Sequence, residues 1–268
     1  MILNKFAIKQ RIDNTIFFLY NLFSHFIFIF YKNKVLIKKN VNFKDIHEGE
    51  RCFILGTGPS LNNIDPDDLK NEITFGVNFL YRSELMRDIT PTYYTFLDDG
   101  FYEEHKESMK SIIEGLPKTK FFVRTKATSA IKALNINDQN IYYQYCNLYQ
   151  YGDYIKLDMT KNMTAPFNVV LSCIQTAIYM GFNEIYLIGS DFNTFATLKE
   201  EHCYDKDGLP SDRSISLGLD LWFYSIVSYQ HYALAKYAKE NNIRIYNLSP
   251  NSLLDAYEKK DIKDIINI

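Results

Sequence analysis

From residue 51 onward, short runs of β-branched and aromatic residues alternate with longer stretches whose apolar positions recur every three or four residues. The β-rich runs are 52–55 (CFIL), 73–77 (ITFGV), 93–97 (YYTFL), 121–124 (FFVR), 141–145 (IYYQY), 184–188 (EIYLI) and 243–248 (IRIYNL). Between the fifth and sixth, residues 168–180 repeat apolar side chains at Val169, Val170, Cys173, Ile174, Ala177 and Ile178 and stop at Gly181, the pattern of an amphipathic helix with a glycine C-cap. A second long helix is expected over 221–240, and a short one over 66–71, with Asp65 as N-cap and Pro66 in the first helical position. Strands that alternate with helices predict parallel βαβ units. The expected fold is therefore α/β, a Rossmann-like, doubly wound, mainly parallel sheet of about seven strands.

Residues 1–48 break this pattern. Positions 16–31 read IFFLYNLFSHFIFIFY, interrupted by Asn21, Ser24 and His25 and flanked by Lys5, Lys9, Arg11 before and Lys32, Lys34, Lys38, Lys39 after. A spanning helix needs roughly 20 mainly apolar residues, whereas a helix in the headgroup region tolerates polar interruptions and favours basic flanks. The favoured expectation is a peripheral anchor over residues 12–39; a true span and a helix packed on the domain or a partner subunit are the alternatives. The chain thus divides into an N-terminal aromatic helix with its linker (1–48) and a nucleotide-binding α/β domain (49–268).

Composition narrows the function. With 47% hydrophobic and 16% aromatic residues a large core is within reach. A net charge of −2 supplies no electrostatic footprint for DNA or RNA, so nucleic acid is not an expected partner. Cys52, Cys146, Cys173 and Cys203 are scattered, without a C-x-x-C pair, and read as buried free thiols of a reducing compartment. With no convincing secretory signal, the expected location is cytoplasmic. Oligomeric state is open, a homo-oligomer included.

In an open parallel sheet, ligands bind beyond the carboxyl ends of the strands. After the first strand comes Gly56-Thr57-Gly58-Pro59-Ser60-Leu61; after the second, Asn78; after the third, Asp98 and Asp99; after the sixth, Gly189-Ser190-Asp191; after the seventh, Ser249-Pro250-Asn251-Ser252. Small hydrogen-bonding residues at so many strand ends point to a polar ligand, although turns favour the same types. The glycine turn lets backbone N–H groups approach a phosphate or ribose; it is neither a Walker loop nor a G-x-G-x-x-G, and a tight βα turn is the plain alternative. His202, in the polar stretch Glu200-Glu201-His202-Cys203-Tyr204-Asp205, is placed to serve as general base, to sit exposed in a loop, or to join Asp205 or Asp191 on a metal. His47, His105 and His231 have no constellation around them in sequence.

The ordered set GTGPSL, Gly76-Val77-Asn78, IYLIGSDF (185–192) and LSPNSLL (248–254) resembles the bacterial CMP-sialic acid-dependent sialyltransferases of surface-oligosaccharide synthesis. It equally resembles a broader group from polysaccharide and flagellin-glycosylation loci that is similar to 6-hydroxymethylpterin pyrophosphokinase. Spanning roughly 51–255, the resemblance implies that Gly56, Thr57, Gly58, Pro59 and Ser60 line the nucleotide phosphates and ribose. It further implies nucleotide contacts from Asn78, Asp98, Thr164, Asn168, Gly189, Ser190, Asp191, Asn251 and Ser252, with His202 as general base. One departure stands out: the sialyltransferases carry a tyrosine just after G-x-D-F, and this chain has Asn193, leaving Tyr204 as the substitute.

The function expected on this resemblance is an inverting, metal-independent glycosyltransferase. It would move a sugar from a nucleotide-sugar donor, most simply a CMP-sugar, to a surface glycan or glycolipid acceptor at the inner membrane face. Two rivals stand beside it: a pyrophosphokinase using a nucleoside triphosphate with Mg²⁺ on Asp98, Asp99 or Asp191, and a non-catalytic module binding the membrane surface.

Overall fold

The protein is described here as a computed structural model covering residues 2–197, 202–204 and 216–266. Strands β1 (Arg51–Leu55), β2 (Thr74–Val77), β3 (Tyr93–Phe96), β4 (Lys120–Arg124), β5 (Ile141–Leu148) and β6 (Asn162–Thr164) step outward from the sheet centre in sequence order. The chain then returns to the other side of β1 and lays down β7 (Glu184–Ile188), β8 (Arg244–Asn247) and β9 (Glu258–Lys259). All nine are parallel, in the order β6-β5-β4-β3-β2-β1-β7-β8-β9. The seven expected strands are all present. The two added, β6 and β9, have three and two residues and are too short and polar to register as apolar runs; pairing with β5 and β8 makes them strands.

Both faces of the sheet are covered, and the period of two along each strand sorts side chains between them. Phe53 and Leu55 of β1 join Tyr94, Phe96, Phe121 and Val123 in a core with α3 (Lys106–Gly115) and α4 (Thr128–Ala133). Cys52 and Ile54 join Phe75, Val77, Ile185 and Leu187 in a core with α5 (Val169–Tyr179) and α6 (Leu217–Glu240). All four cysteines are buried and free. Helix α6 starts four residues earlier than its apolar pattern, because Ser216 caps it by accepting from the N–H of Leu219 at 3.4 Å. The segment 66–69 is a short 3₁₀ helix, capped by Asp65 as expected.

The N-terminal run extends well past its apolar stretch, as α1 (Ile2–Ile29), and it packs on the β5–β6 edge. The polar interruptions are the docking groups. Asn21 donates to the carbonyl of Tyr149 and accepts from its N–H, both at 2.8 Å. Ser24 donates to the Asn147 carbonyl at 2.7 Å, and His25 pairs with the Tyr154 hydroxyl at 3.0 Å. The following residues, α2 (Lys34–Lys38) and a 3₁₀ turn, are knit in equally: Ile37 and Asn40 are fully buried, and the Asn40 amide donates to the carbonyls of Tyr143 and Met159.

Because Asn21 satisfies both backbone groups of Tyr149 in a buried place, Asn21→Ala strands a donor and an acceptor. The expected cost is about 2 kcal/mol of helix docking, read by amide exchange as faster exchange within α1 while β1–β4 stay protected.

Candidate functional site

Strands β1 and β7 lie side by side in level register, from Arg51 opposite Glu184 to Leu55 opposite Ile188. Here the strand order reverses, the place where open α/β sheets bind ligands. The chain leaves both strands through glycine, because the two backbones touch. The Gly56 N–H donates to the Ile188 carbonyl at 2.7 Å and the Gly58 N–H to the Gly189 carbonyl at 2.8 Å. A Cβ on Gly56 would sit 2.4 Å from the Gly189 oxygen, and one on Gly58 2.2 Å from Asp191 Oδ2. Gly189 also holds φ +66°, in the left-handed region that favours glycine. Asp191 closes the junction by accepting from the Ser60 N–H at 3.0 Å.

Two adjoining cavities open along this edge. The smaller, of about 220 Å³, is lined by residues 56–59, the 189–194 turn, His202 and His231. The larger, of about 620 Å³, is lined by Asn78, Asp98, Asp99, Arg124, Asn147 and the loop ahead of α5, with Tyr20 and Phe223 at its rim elements. Asn168 and Val169 line both. Asn168 is the N-cap of α5, its Oδ1 accepting from the Leu171 N–H at 2.8 Å, so the start of that helix faces the crevice with the polarity that suits an anion. Asn78 has φ 39° and turns the chain at the end of β2; its Oδ1 accepts from the Leu97 N–H and so orients the next strand's exit.

His202 is tied to the glycine turn. The N–H of its neighbour Cys203 donates to the Thr57 carbonyl at 2.9 Å, and its ring stacks on Tyr204 with centroids 5.0 Å apart. Burial pushes the Cys203 thiol up to about 11, which keeps it a neutral packing group. The buried hydroxyls of Ser60 and Ser190 and Asp99 Oδ1 have no hydrogen-bond partner among the described residues, three such atoms along the same edge.

The structure thus brings Gly56, Thr57, Gly58, Pro59, Gly189, Ser190, Asp191, Asn168 and His202 to one cavity, and Asn78 and Asp98 to its neighbour. It does not bring Ser60, Thr164, Asn251 or Ser252 to the lining of either; Ser60 gives its N–H to Asp191 just behind the turn. Thr164 is buried and its hydroxyl accepts from the Lys156 N–H. Ser252 is buried beneath the 189–191 turn, where its hydroxyl donates to the Ser190 carbonyl at 2.6 Å while Ser249 accepts from the Ser190 N–H. These serines brace the turn from below. Asn251 is exposed outside both cavities. Tyr204 packs near Phe79 behind His202 and lines neither cavity. Glu200, Glu201 and Asp205 lie outside the described residues.

His231 belongs to the crevice, although nothing near it in sequence suggests so. From the buried face of α6 it reaches the Tyr257 hydroxyl with Nδ1 at 3.0 Å and the Asn168 amide with Nε2 at 3.4 Å. A histidine in a helical apolar repeat reads as core, and only the packing of α6 on α5 reveals its neighbours.

The family model for 6-hydroxymethylpterin diphosphokinase MptE-like proteins matches residues 29–195, from the end of α1 through the 189–191 turn. The chain belongs to the MptE-like family.

Among solved structures, this MptE-like protein is similar to the sialyltransferase CstII from Campylobacter jejuni in complex with a substrate analogue, cytidine-5'-monophosphate, at 18% identity over 79% of this chain and 85% of that one, TM-score 0.48. It is also similar to an alpha-2,3-sialyltransferase from Campylobacter jejuni in apo form, at 17% identity over 78% and 79%, TM-score 0.42. A third likeness is to the MAf glycosyltransferase from Magnetospirillum magneticum, at 14% identity over 85% of this chain and 38% of that one, TM-score 0.49. No curated protein matches the MptE-like chain.

A divalent cation fits the described residues poorly. No group of three or more His, Cys, Asp or Glu converges among them. Asp98 and Asp99 stand in the larger cavity, engaged by the Gly100 N–H and Lys126, while Asp191 stands in the smaller one, engaged by Ser60.

In this MptE-like protein Gly56→Ala must push the two strand exits apart, with an expected cost of about 3 kcal/mol or more, measured by urea unfolding. His231 supplies a pH dependence. Burial lowers its imidazole from 6.5 to about 3, so the unfolded chain takes up a proton first as pH falls. Its contribution to stability is whole above pH 6.5 and is lost toward pH 3, at about 1.4 kcal/mol per pH unit. His231→Gln should flatten the acid limb of the unfolding midpoint against pH by one proton.

Proposed function

We propose that the protein is a glycosyltransferase that moves a sugar from a nucleotide-activated donor, a CMP-sugar by the motif resemblance, to a cell-surface glycan or glycolipid acceptor. The observation that carries this reading is the convergence of the glycine turn, the 189–191 turn, the α5 N-terminus and His202 on one cavity that opens into a larger polar one. Backbone N–H groups and a helix start suit a phosphate, and the neighbouring cavity offers room for the sugar and acceptor.

In this reading the imidazole of His202 takes the proton of the acceptor hydroxyl as its oxygen attacks the anomeric carbon, and the bond to the nucleotide phosphate breaks on the opposite side with inversion. The departing phosphate is met by the turn at 56–58, the Ser190 hydroxyl and the start of α5, without a metal ion. Tyr204 holds the His202 ring by stacking, in a chain that has Asn193 where the sialyltransferases have tyrosine. The enzyme works in the cytoplasm, held at the inner membrane face by residues 12–39. Support for that placement is the inside-out character of α1, whose Asn21 and Ser24 are buried while Phe23, Phe26 and Ile29 are exposed.

A second reading is favoured by the family description: diphosphoryl transfer from a nucleoside triphosphate. Its cation would have to arrive with the nucleotide, given the scattered carboxylates.

A thermal-shift screen with CMP, CDP, UDP, GDP and ATP, each with and without Mg²⁺, separates the two, because a ligand of the native state raises the melting temperature. Stabilisation by CMP without metal is expected; stabilisation by ATP with Mg²⁺ alone would transfer the assignment to the second reading. His202→Ala should lower turnover by about a hundredfold or more and leave the CMP-induced shift intact.

A further inference from the structure

Every exposed large apolar side chain among the described residues, Leu253 apart, falls between residues 8 and 46 or between 217 and 232. The first set lies on α1, α2 and the turns after them, the second on the first two thirds of α6. Helices α1 and α6 each give one of these side chains to the lining of the larger cavity, Tyr20 from α1 and Phe223 from α6.

The α6 part has its own character. Leu217, Leu221 and Trp222 are 51%, 45% and 62% exposed in the first two turns, although the same helix buries Val227, Leu234 and Ala238 farther along. Water does not favour such a turn, and no described residue covers it. Basic residues mark what does. Lys5, Lys9 and Arg11 precede the apolar stretch of α1 and Lys32, Lys38 and Lys39 follow it, all exposed, so a band of positive charge borders the apolar face at both ends. The side of α1 that carries Asn21, Ser24 and His25 is bonded to β5 and the loop after it, so the helix lies along the domain with its apolar face outward. An apolar face bordered by cations and lying along the domain is the complement of an anionic bilayer surface.

We propose that α1 and the first two turns of α6 form one surface that docks on an anionic bilayer, so that the larger cavity opens at the lipid headgroups. The docking is independent of the reaction. On the glycosyl-transfer reading, on which this clause rests, the acceptor reaches the cavity as the headgroup sugar of a membrane lipid.

Trp222 is the single tryptophan of the chain, so its emission reports the α6 turn alone. With the full chain and vesicles of phosphatidylcholine containing phosphatidylglycerol, its emission should shift to the blue, be quenched by bromine-labelled acyl chains, and lose the effect in high salt or with pure phosphatidylcholine. The double variant Leu217→Glu, Leu221→Glu changes only exposed positions. It should weaken vesicle binding about tenfold or more while keeping the melting temperature and the CMP-induced shift of the parent. Flotation with vesicles while Trp222 emission stays unchanged would overturn the proposal, leaving α1 as the sole contact. Concentration-dependent shielding of Trp222 without lipid would overturn it in favour of a second copy of the chain. Neither result touches the assignment of glycosyl transfer, which stands or falls on CMP binding and the His202→Ala variant.

Discussion

The crevice depends on one backbone contact. Where β1 and β7 end level, the next residues on each strand approach until the carbonyl of Gly189 occupies the place a Gly56 side chain would need. Two adjacent parallel strands normally diverge into loops kept apart by their side chains. Here the exits stay in contact, hydrogen bonded from Gly56 to Ile188 and from Gly58 to Gly189, and the space beyond them is left open. The smaller cavity is what remains once neither strand carries a Cβ into the junction.

Beneath that junction lies a layer of buried polar side chains. Asn247, Ser249 and Ser252 bond to one another and to both backbone groups of Ser190, so the 189–191 turn is held by side chains from β8's exit rather than by packing alone. In sequence these residues resemble ligand contacts, because the small hydroxyls and amides that bind a nucleotide are the ones that also brace a turn. Burial separates the two uses, and burial depends on a strand neighbour 59 to 62 positions away in the chain.

Much of the fold was legible because a strand buried on both faces carries a run of aliphatic or aromatic residues, and seven of the nine do. The short edge strands β6 and β9 escaped because pairing alone defines them. The glycine turn, Asn78, Asp98, Asn168 and His202 were legible as polar breaks directly after apolar runs or near a helix start. His231, Arg124 and Asn147 were not, since each is placed by a helix face or by a strand's outer residue whose neighbours come from distant segments. The polar interruptions in α1 were visible but their partners were not: Asn21 and Ser24 bond the helix to residues more than 120 positions away in the chain.

The hydrogen bond from Cys203 to Thr57 has a consequence for how the proposed base and the phosphate turn act together. Through the Cys203 N–H, the backbone beside His202 is stitched to the same loop that would grip the departing phosphate. A displacement of that loop therefore carries the imidazole with it. On the proposed reading, occupancy at one end of the reacting bond and proton acceptance at the other are linked through that peptide group, so the empty and loaded protein would differ in alignment as well as in affinity.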